Sequence, residues 1–515
     1  MADQIVHLSL GATYFLLFIF GLLMLGITYL FARWKGKYAV TAERFLIAER
    51  KVGWLVGGAS VAASWIWAPA IFVSTLFAYQ YGLAGLFWFV FPNMIAVVIY
   101  AIIAPIIRKK LPYGYTLPQW IRHKLQNERV HKIYLFPFFF YQLMAIAVQL
   151  YAGGNLLALL LNVPVYQATA VITIVLLAAI PLIYSLVSGL ESSVITDFVQ
   201  LLLLVLSLII IIPWLLGTVG IDVLSSGLGG VSGSSNIFDP KLAFSLGIVT
   251  SIGLIAGALS DQQFWQRAFA IKKEELRKAF IWGALAFGIV PIALGLLGFI
   301  GASDAYAVSL PEGIDASMVG VLVVGKLLPL WTVFFFVIML LSALSSTLDS
   351  GMNAAAVLYA TDVMRYSKEE RHLMLRAEEG KKLTYKEKLL KHLLDARRLA
   401  GARSTMVWLT IAGFLVALGV IYIPGFQLQQ LWWVFNTVAA CVVVPTILSL
   451  FWERLDARGV FWGVLVAFFI GLPFFIYSNL VNRPLWIVLS ALFVVGVTLL
   501  FCLLMPKKKG FVAAA

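Results

Sequence analysis

The chain has 515 residues, 62% of them hydrophobic and 12% charged, with a mean hydropathy of +0.96 and a formal net charge of +14. Soluble domains carry about 25% charged residues, so a water-facing surface is excluded. Repeated apolar runs of about 20 residues point instead to helices that span a bilayer.

In chain order, the runs predict thirteen spans: 8–32, 52–79, 84–107, 133–160, 166–187, 192–217, 243–263, 278–301, 327–361, 404–423, 428–451, 459–478 and 484–505. The start, "MADQIVHLSL", has no basic flank and no small-residue cleavage site after it, so the first span is expected to be retained. Of the 38 Lys and Arg, 35 fall in the loops 33–51, 108–132, 264–278, 362–403 and 452–458 and in the tail after 505. Only Lys241, Lys326 and Arg483 fall on the other side. Positive loops stay in the cytoplasm, which predicts a cell-membrane protein with its N-terminus outside and its C-terminus inside. The positive charge is thereby explained by topology, and no nucleic-acid partner is expected.

Cys441 and Cys502 both fall within spans, so no disulfide framework is expected. His7, His123, His131, His372 and His392 all lie outside the spans, and no nucleophile–base pair is evident. An intramembrane enzyme is therefore disfavoured. The loop 362–403 places Leu389, Leu390, Leu393 and Leu394 among lysines at helical spacing, as an amphipathic surface helix would. The external loops are 218–242 and 302–326, and "SSGLGGVSGSSN" (225–236) reads as flexible.

Two spans are irregular. "GGASVAASWIWAPA" (57–70) sets small residues before Trp-Ile-Trp and Pro69, and "SIGLIAGALSDQQFWQR" (251–267) ends in a polar run. They head two five-span blocks, 52–217 and 243–451, of opposite direction. The blocks are flanked by an extra helix and loop (1–51), an external loop (218–242) and C-terminal helices with a basic tail (452–515). Inverted five-span units led by interrupted helices are a common plan of secondary transporters.

The segment "LLSALSSTLDSGMNAAAVLYATDV" (340–363) carries chemistry. Ser342, Ser346, Asp349, Ser350 and Asn353 share one helical face. That face must avoid lipid, because a charged side chain at the bilayer centre costs several kcal/mol. Hydroxyl and carboxylate oxygens are ligands for a hard cation; interhelical hydrogen bonding is the plainer use of hydroxyls alone. Asp197, beside Ser193 and Thr196 in "SGLESSVITDFVQ" (188–200), is a second acid that would complete a cation site or snorkel to the interface.

The pieces "GLESSVITDFVQ", "DQQFWQRAFA" (261–270) and "ALSSTLDSGMNA" (343–354), with the topology, resemble the solute:sodium symporter family. The resemblance implies an all-α polytopic membrane protein of leucine-transporter fold, with two inverted five-helix repeats. It also implies sodium-coupled symport of a small polar organic solute by alternating access. By that resemblance the sodium site comprises Ala63 and Ile66 (or, one residue earlier, Ala62 and Trp65) with Ala343, Ser346 and Thr347. A further site, for sodium or a proton, would use Asp197, Ser346, Asp349 and Ser350. Asp349 departs from the family pattern, which has a small hydroxyl there. The solute would sit near the midplane, walled by Trp67, Phe87 and Trp88, with Ser64, Gln142 and Gln149 as hydrogen-bonding groups. Asp261 and Gln262 begin the polar run of the seventh span, and Phe264 and Trp265 would follow as inner gates. "ASWIWAPAI" and "DQQFWQRA" look most like the urea-transporting branch; a sugar, amino acid or carboxylate are the other solute classes. Proton coupling on the same fold, or a transporter-like sensor read through 362–403, are the alternatives.

Overall fold

The computed structural model describes residues 7–34, 41–306, 308, 314–423 and 425–507. Residues 1–6 and the tail from 508, on which part of the reading of the two termini rests, lie outside the described residues. The principal helices are α1 (Leu10–Trp34), α2 (Trp54–Trp65), α3 (Ser74–Lys110), α4 (Leu117–Leu125), α5 (Glu128–Leu161), α6 (Ala168–Ser188), α7 (Leu190–Val219), α8 (Ile248–Ser260) and α9 (Gln262–Ala270). They continue with α10 (Leu276–Ala302), α11 (Leu330–Leu358), α12 (Lys368–Glu378), α13 (Tyr385–Ile421), α14 (Leu428–Phe451), α15 (Ala457–Val466), α16 (Leu472–Val481) and α17 (Pro484–Leu504).

Twelve helical stretches among the described residues are long and apolar enough to cross a membrane. One of them, Pro69–Lys110, is a hairpin. Phe77 and Phe89 are twelve residues apart, about 18 Å along a straight helix, yet their ring centroids lie 6.1 Å apart. The chain doubles back at Gly82, whose φ is +63° and whose added Cβ would meet the Leu228 carbonyl at 2.3 Å. Only glycine meets both demands without strain. Counted on either side of Gly82, the spans are the thirteen expected. The segment read as flexible caps this corner: the amides of Val231 and Ser232 donate to the carbonyls of Tyr79 (2.8 Å) and Gln80 (3.0 Å), and Leu83 donates to Leu228 (2.9 Å). Its glycines serve close backbone approach rather than freedom.

The helix expected at 404–423 begins nineteen residues earlier. A capping box at Thr384 and Glu387 starts α13, so the leucine-rich stretch is its first turns and not a separate surface helix. Leu394 is buried there, whereas Leu389, Leu390 and Leu393 are exposed.

α10 lies along α2 and α3; α11 packs on α7 and α5; α8 packs on α14. These helices enclose the two interruptions. The segment before α2 and the segment after α9 are tied by a parallel bridge between Val52 and Ile271, so the N-terminal end of the first broken unit is joined to the C-terminal end of the second.

Candidate functional site

The first interruption follows from Pro69, which has no N–H to return to the Trp65 carbonyl. α2 stops at Trp65, and Ile66 takes non-helical angles (φ −82°, ψ 69°). The freed Ala68 amide donates to Gln149 Oε1 of α5 at 2.8 Å. The second interruption is made by Asp261, which leaves α8 in an extended conformation and caps α9, accepting from the Gln263 amide at 2.8 Å. Gln142 Nε2 donates to the same carboxylate (3.1 Å), and its Oε1 accepts from Gln263 (3.3 Å).

Between the interruptions lies an aromatic cluster. The rings of Trp65 and Trp67 stack at 5.1 Å, and Trp67 meets Phe435 at 4.9 Å and Trp432 edge-on at 6.4 Å. Tyr141 lies against Phe435 at 4.0 Å. Six buried polar atoms here have no hydrogen-bond partner: the indole Nε1 of Trp65, Trp67 and Trp432, Gln149 Nε2, Tyr141 Oη and Asn436 Oδ1. An orphaned buried group costs about 1–3 kcal/mol, so a concentration of them marks a place shaped for a polar visitor. Gly257 keeps it open, since an added Cβ would lie 2.8 Å from Asn436 Oδ1 and 3.2 Å from Tyr141 Oη.

Of the expected solute residues, Trp67 and Gln149 lie in this cluster, and Gln142 and Asp261 at the second interruption. Ser64 turns back on its own helix, donating to the Val61 carbonyl at 3.0 Å. Phe264 contacts Trp65 (4.9 Å), while Trp265 and Phe264 both lie against Tyr100. Phe87 and Trp88 are elsewhere: Phe87 packs on Phe91 and Phe238, and Trp88 Nε1 donates to the Ile237 carbonyl (3.0 Å). Phe89 faces the cluster instead, 5.5 Å from Trp432, because the helix restarts its phase after Gly82. Gln262 also points away, donating to the Tyr115 carbonyl at 2.9 Å. Tyr141, Asn436 and Trp432 escaped sequence reading. The one usable signal was Asn436, a lone amide in the apolar run "LWWVFNTVAAC".

The residues expected to hold a cation gather between α2, α7 and α11. Ala63, Ala343 and Ser346 line one small cleft. Thr347 Oγ1 lies 3.4 Å from the carbonyls of Ser64 and Ala343. Ile66 stands at the end of α2, where the helical pattern stops.

Asp197 has a partner that sequence reading had counted among loop cations. Arg267 of α9 is 1% exposed and donates through Nη2 to Asp197 Oδ2 at 2.8 Å. The same guanidinium reaches Ser350 Oγ (2.6 Å) and Ser60 Oγ (2.8 Å). Ser60 and Ser346 donate to the two oxygens of Asp197. Asp349, one turn along α11, is held by hydroxyls: Ser193 (2.9 Å), Ser350 (3.2 Å) and, more distantly, Thr196 (3.4 Å). Among the described residues no Lys, Arg or His forms an ion pair with it. Thus the hydroxyl-and-acid face of α11 does point into the bundle, as the cost of a lipid-facing carboxylate requires.

The description "Sodium:solute symporter family" matches residues 45–382. "Probable urea active transporter 1" of Schizosaccharomyces pombe is 22% identical over 281 residues, 50% of this chain and 40% of its own length. "Spermidine transporter DUR31" of Candida albicans is 25% identical over 285 residues (55% and 52%), and "Urea-proton symporter DUR3" of Oryza sativa 22% over 284 (49% and 38%). The chain thus spans about half, or less, of the length of these curated relatives. A solved Na+-coupled sialic acid symporter, in a substrate-bound outward-open state, superposes with a TM-score of 0.68 at 18% identity, covering 97% of this chain and 99% of that one. That likeness establishes the leucine-transporter fold, and with the family match over residues 45–382, the chain belongs to the sodium:solute symporter family.

Proposed function

We propose that the protein is a sodium-coupled symporter of a small polar solute of the urea or amide class, working by alternating access. The observation that carries this reading is the set of six unpartnered polar atoms in the cluster between the two interruptions, of which Tyr141 Oη and Asn436 Oδ1 stand beside Gly257. Three indole N–H groups and an amide NH2 suit a carbonyl oxygen, while Asn436 Oδ1 suits an N–H of the same solute. The names of the Schizosaccharomyces pombe and Oryza sativa relatives agree with that class, whereas the Candida albicans relative is named for a polyamine. Sodium enters as the coupling ion at Ala63, Ile66, Ala343, Ser346 and Thr347, whose carbonyl and hydroxyl oxygens are hard ligands. One positive charge crossing about 100 mV contributes about 2.3 kcal/mol, roughly a fifty-fold solute gradient. Arg267 stands as a tethered cation at Asp197, so that carboxylate is already neutralised and one sodium moves per cycle.

A second reading rests on Asp349. A buried carboxylate held only by hydroxyls calls for an arriving cation, and a proton would serve where sodium does not. Proteoliposomes loaded under a sodium gradient, then under a proton gradient without sodium, should accumulate labelled urea only in the first case. Accumulation driven by protons alone would move the coupling to Asp349. No accumulation of urea, acetamide or other small amides under either gradient would refute the solute class.

A further inference from the structure

On the face that bears the basic loops, a cavity of about 300 Å³ opens between α4, α12 and α13. That is the lower end of small-molecule pocket sizes, about 300–1,000 Å³. Its lining includes Arg122, Arg371 and Arg398 against a single acid, Glu378; Arg122 pairs with Glu128 at 3.5 Å, which leaves Arg371 and Arg398 as the lining guanidiniums outside any ion pair among the described residues. Glu378 is itself occupied: it pairs with Arg50 at 3.1 Å and accepts from the Tyr115 hydroxyl. Arg398 is 5% exposed, lies over the Tyr115 ring at 5.1 Å, and its Nε has no hydrogen-bond partner. Neither Arg371 nor Arg398 forms an ion pair among the described residues.

Membrane topology accounts for exposed lysines in cytoplasmic loops. It does not account for a buried guanidinium with an idle donor beside a cavity, which costs free energy unless something accepts from it. Guanidinium forks match phosphate oxygens in geometry and charge.

We infer that this cavity binds a phosphate-bearing ligand, held by Arg371 and Arg398 with Arg122 at its edge. The ligand bridges α4, α12 and α13 and so fastens the 362–403 segment over this face. The phosphate comes either from a soluble monoester or from a lipid headgroup; the chemistry is the same. The inference is independent of which solute is carried, because its readout is binding.

The test uses the full chain in detergent micelles at constant ionic strength. Melting temperature and calorimetric heat are followed with inorganic phosphate, AMP and adenosine, and in nanodiscs with and without phosphatidylinositol 4-phosphate. Saturable stabilisation by phosphate or AMP, absent with adenosine, is expected for a soluble ligand; stabilisation only by the phosphoinositide assigns the headgroup. Arg371→Gln should weaken the dissociation constant at least about tenfold, the loss of one charge-assisted bond. Arg376→Gln should leave it unchanged, since Arg376 lies outside the cavity and pairs with Glu387 at 2.6 Å. Arg371 and Arg122 are at the surface, so their variants avoid the folding risk of altering Arg398. No saturable response to any probe below about 10 mM, or an equal response in Arg371→Gln, would overturn the inference.

Discussion

Arg267→Gln is the substitution that most directly separates a tethered cation from a transported one. The guanidinium and the Asp197 carboxylate are 2.8 Å apart and buried. At an effective dielectric of about 20 their Coulomb attraction is about 6 kcal/mol, offset in part by the desolvation of both charges. Breaking such a pair on one side costs about 3–5 kcal/mol, because the remaining charge is left buried and alone. Arg267→Gln should therefore lower the melting temperature markedly in sodium-free buffer. Asp197→Asn in the same chain should recover much of the loss, since no orphan charge remains. The oxygens released by Arg267, those of Ser60, Asp197 and Ser350, form with the Ser346 hydroxyl that donates to Asp197 a set suited to sodium. Adding sodium should then restabilise Arg267→Gln more than the wild type. The sodium dependence of uptake should rise from a Hill coefficient near one to above one. The assays are melting curves and initial-rate uptake across a sodium titration, with N-methylglucamine as the inert cation. Unchanged stability in Arg267→Gln together with a Hill coefficient still near one would refute both the pairing energy and the tethered-cation role.

Ser346→Ala and Thr347→Ala should each weaken the half-saturating sodium concentration by about 5–150-fold, equivalent to about 1–3 kcal/mol for one lost oxygen contact, with expression preserved. A double variant that keeps its sodium dependence in uptake assays would remove these residues from the site. Asp349→Asn should leave sodium-driven uptake dependent on sodium; if the proton reading holds, the wild type takes up solute without sodium, faster as external pH falls, and Asp349→Asn loses that pH response. Gly257→Ala should raise the solute KM about tenfold or more, since its methyl group enters at 2.8 Å from Asn436 Oδ1 and overpacking costs about 1–3 kcal/mol; an unchanged KM would place the solute elsewhere. Cysteines introduced at Lys241 and Lys381, both exposed, should react with an impermeant reagent from opposite sides of the membrane, with little background from the buried Cys441 and Cys502.

Much of the fold was legible because its causes are local. Apolar runs of bilayer length, Pro69 after Trp-Ile-Trp and Asp261 at the end of a glycine-bearing span each act within a turn or two of chain, and the interruptions stand where those residues predict. Helical spacing likewise brought Ser342, Ser346, Asp349 and Ser350 onto one buried face of α11. Gly82 marks the limit of that logic. The sequence signals a break there, but the restart of helical phase beyond it, which turns Phe89 inward and leaves Phe87 and Trp88 with the 218–242 loop, depends on how the hairpin packs.

The partners of the charged residues were decided by tertiary structure alone. Arg267 lies 70 residues from Asp197 in the chain, and a sequence count places it among the loop cations because it follows a polar run. Only the short helix after the second interruption, packed against α2 and α11, carries it into the bundle. The same holds for Tyr141 and Asn436, which approach Gly257 from two other helices. What the amino-acid sequence determined by itself was which segments enter the membrane and where two of them break, since hydropathy, proline and a capping acid act on neighbouring residues. Which side chains meet at those breaks was settled by packing, because a buried charge or polar group finds its partner across helices rather than along one.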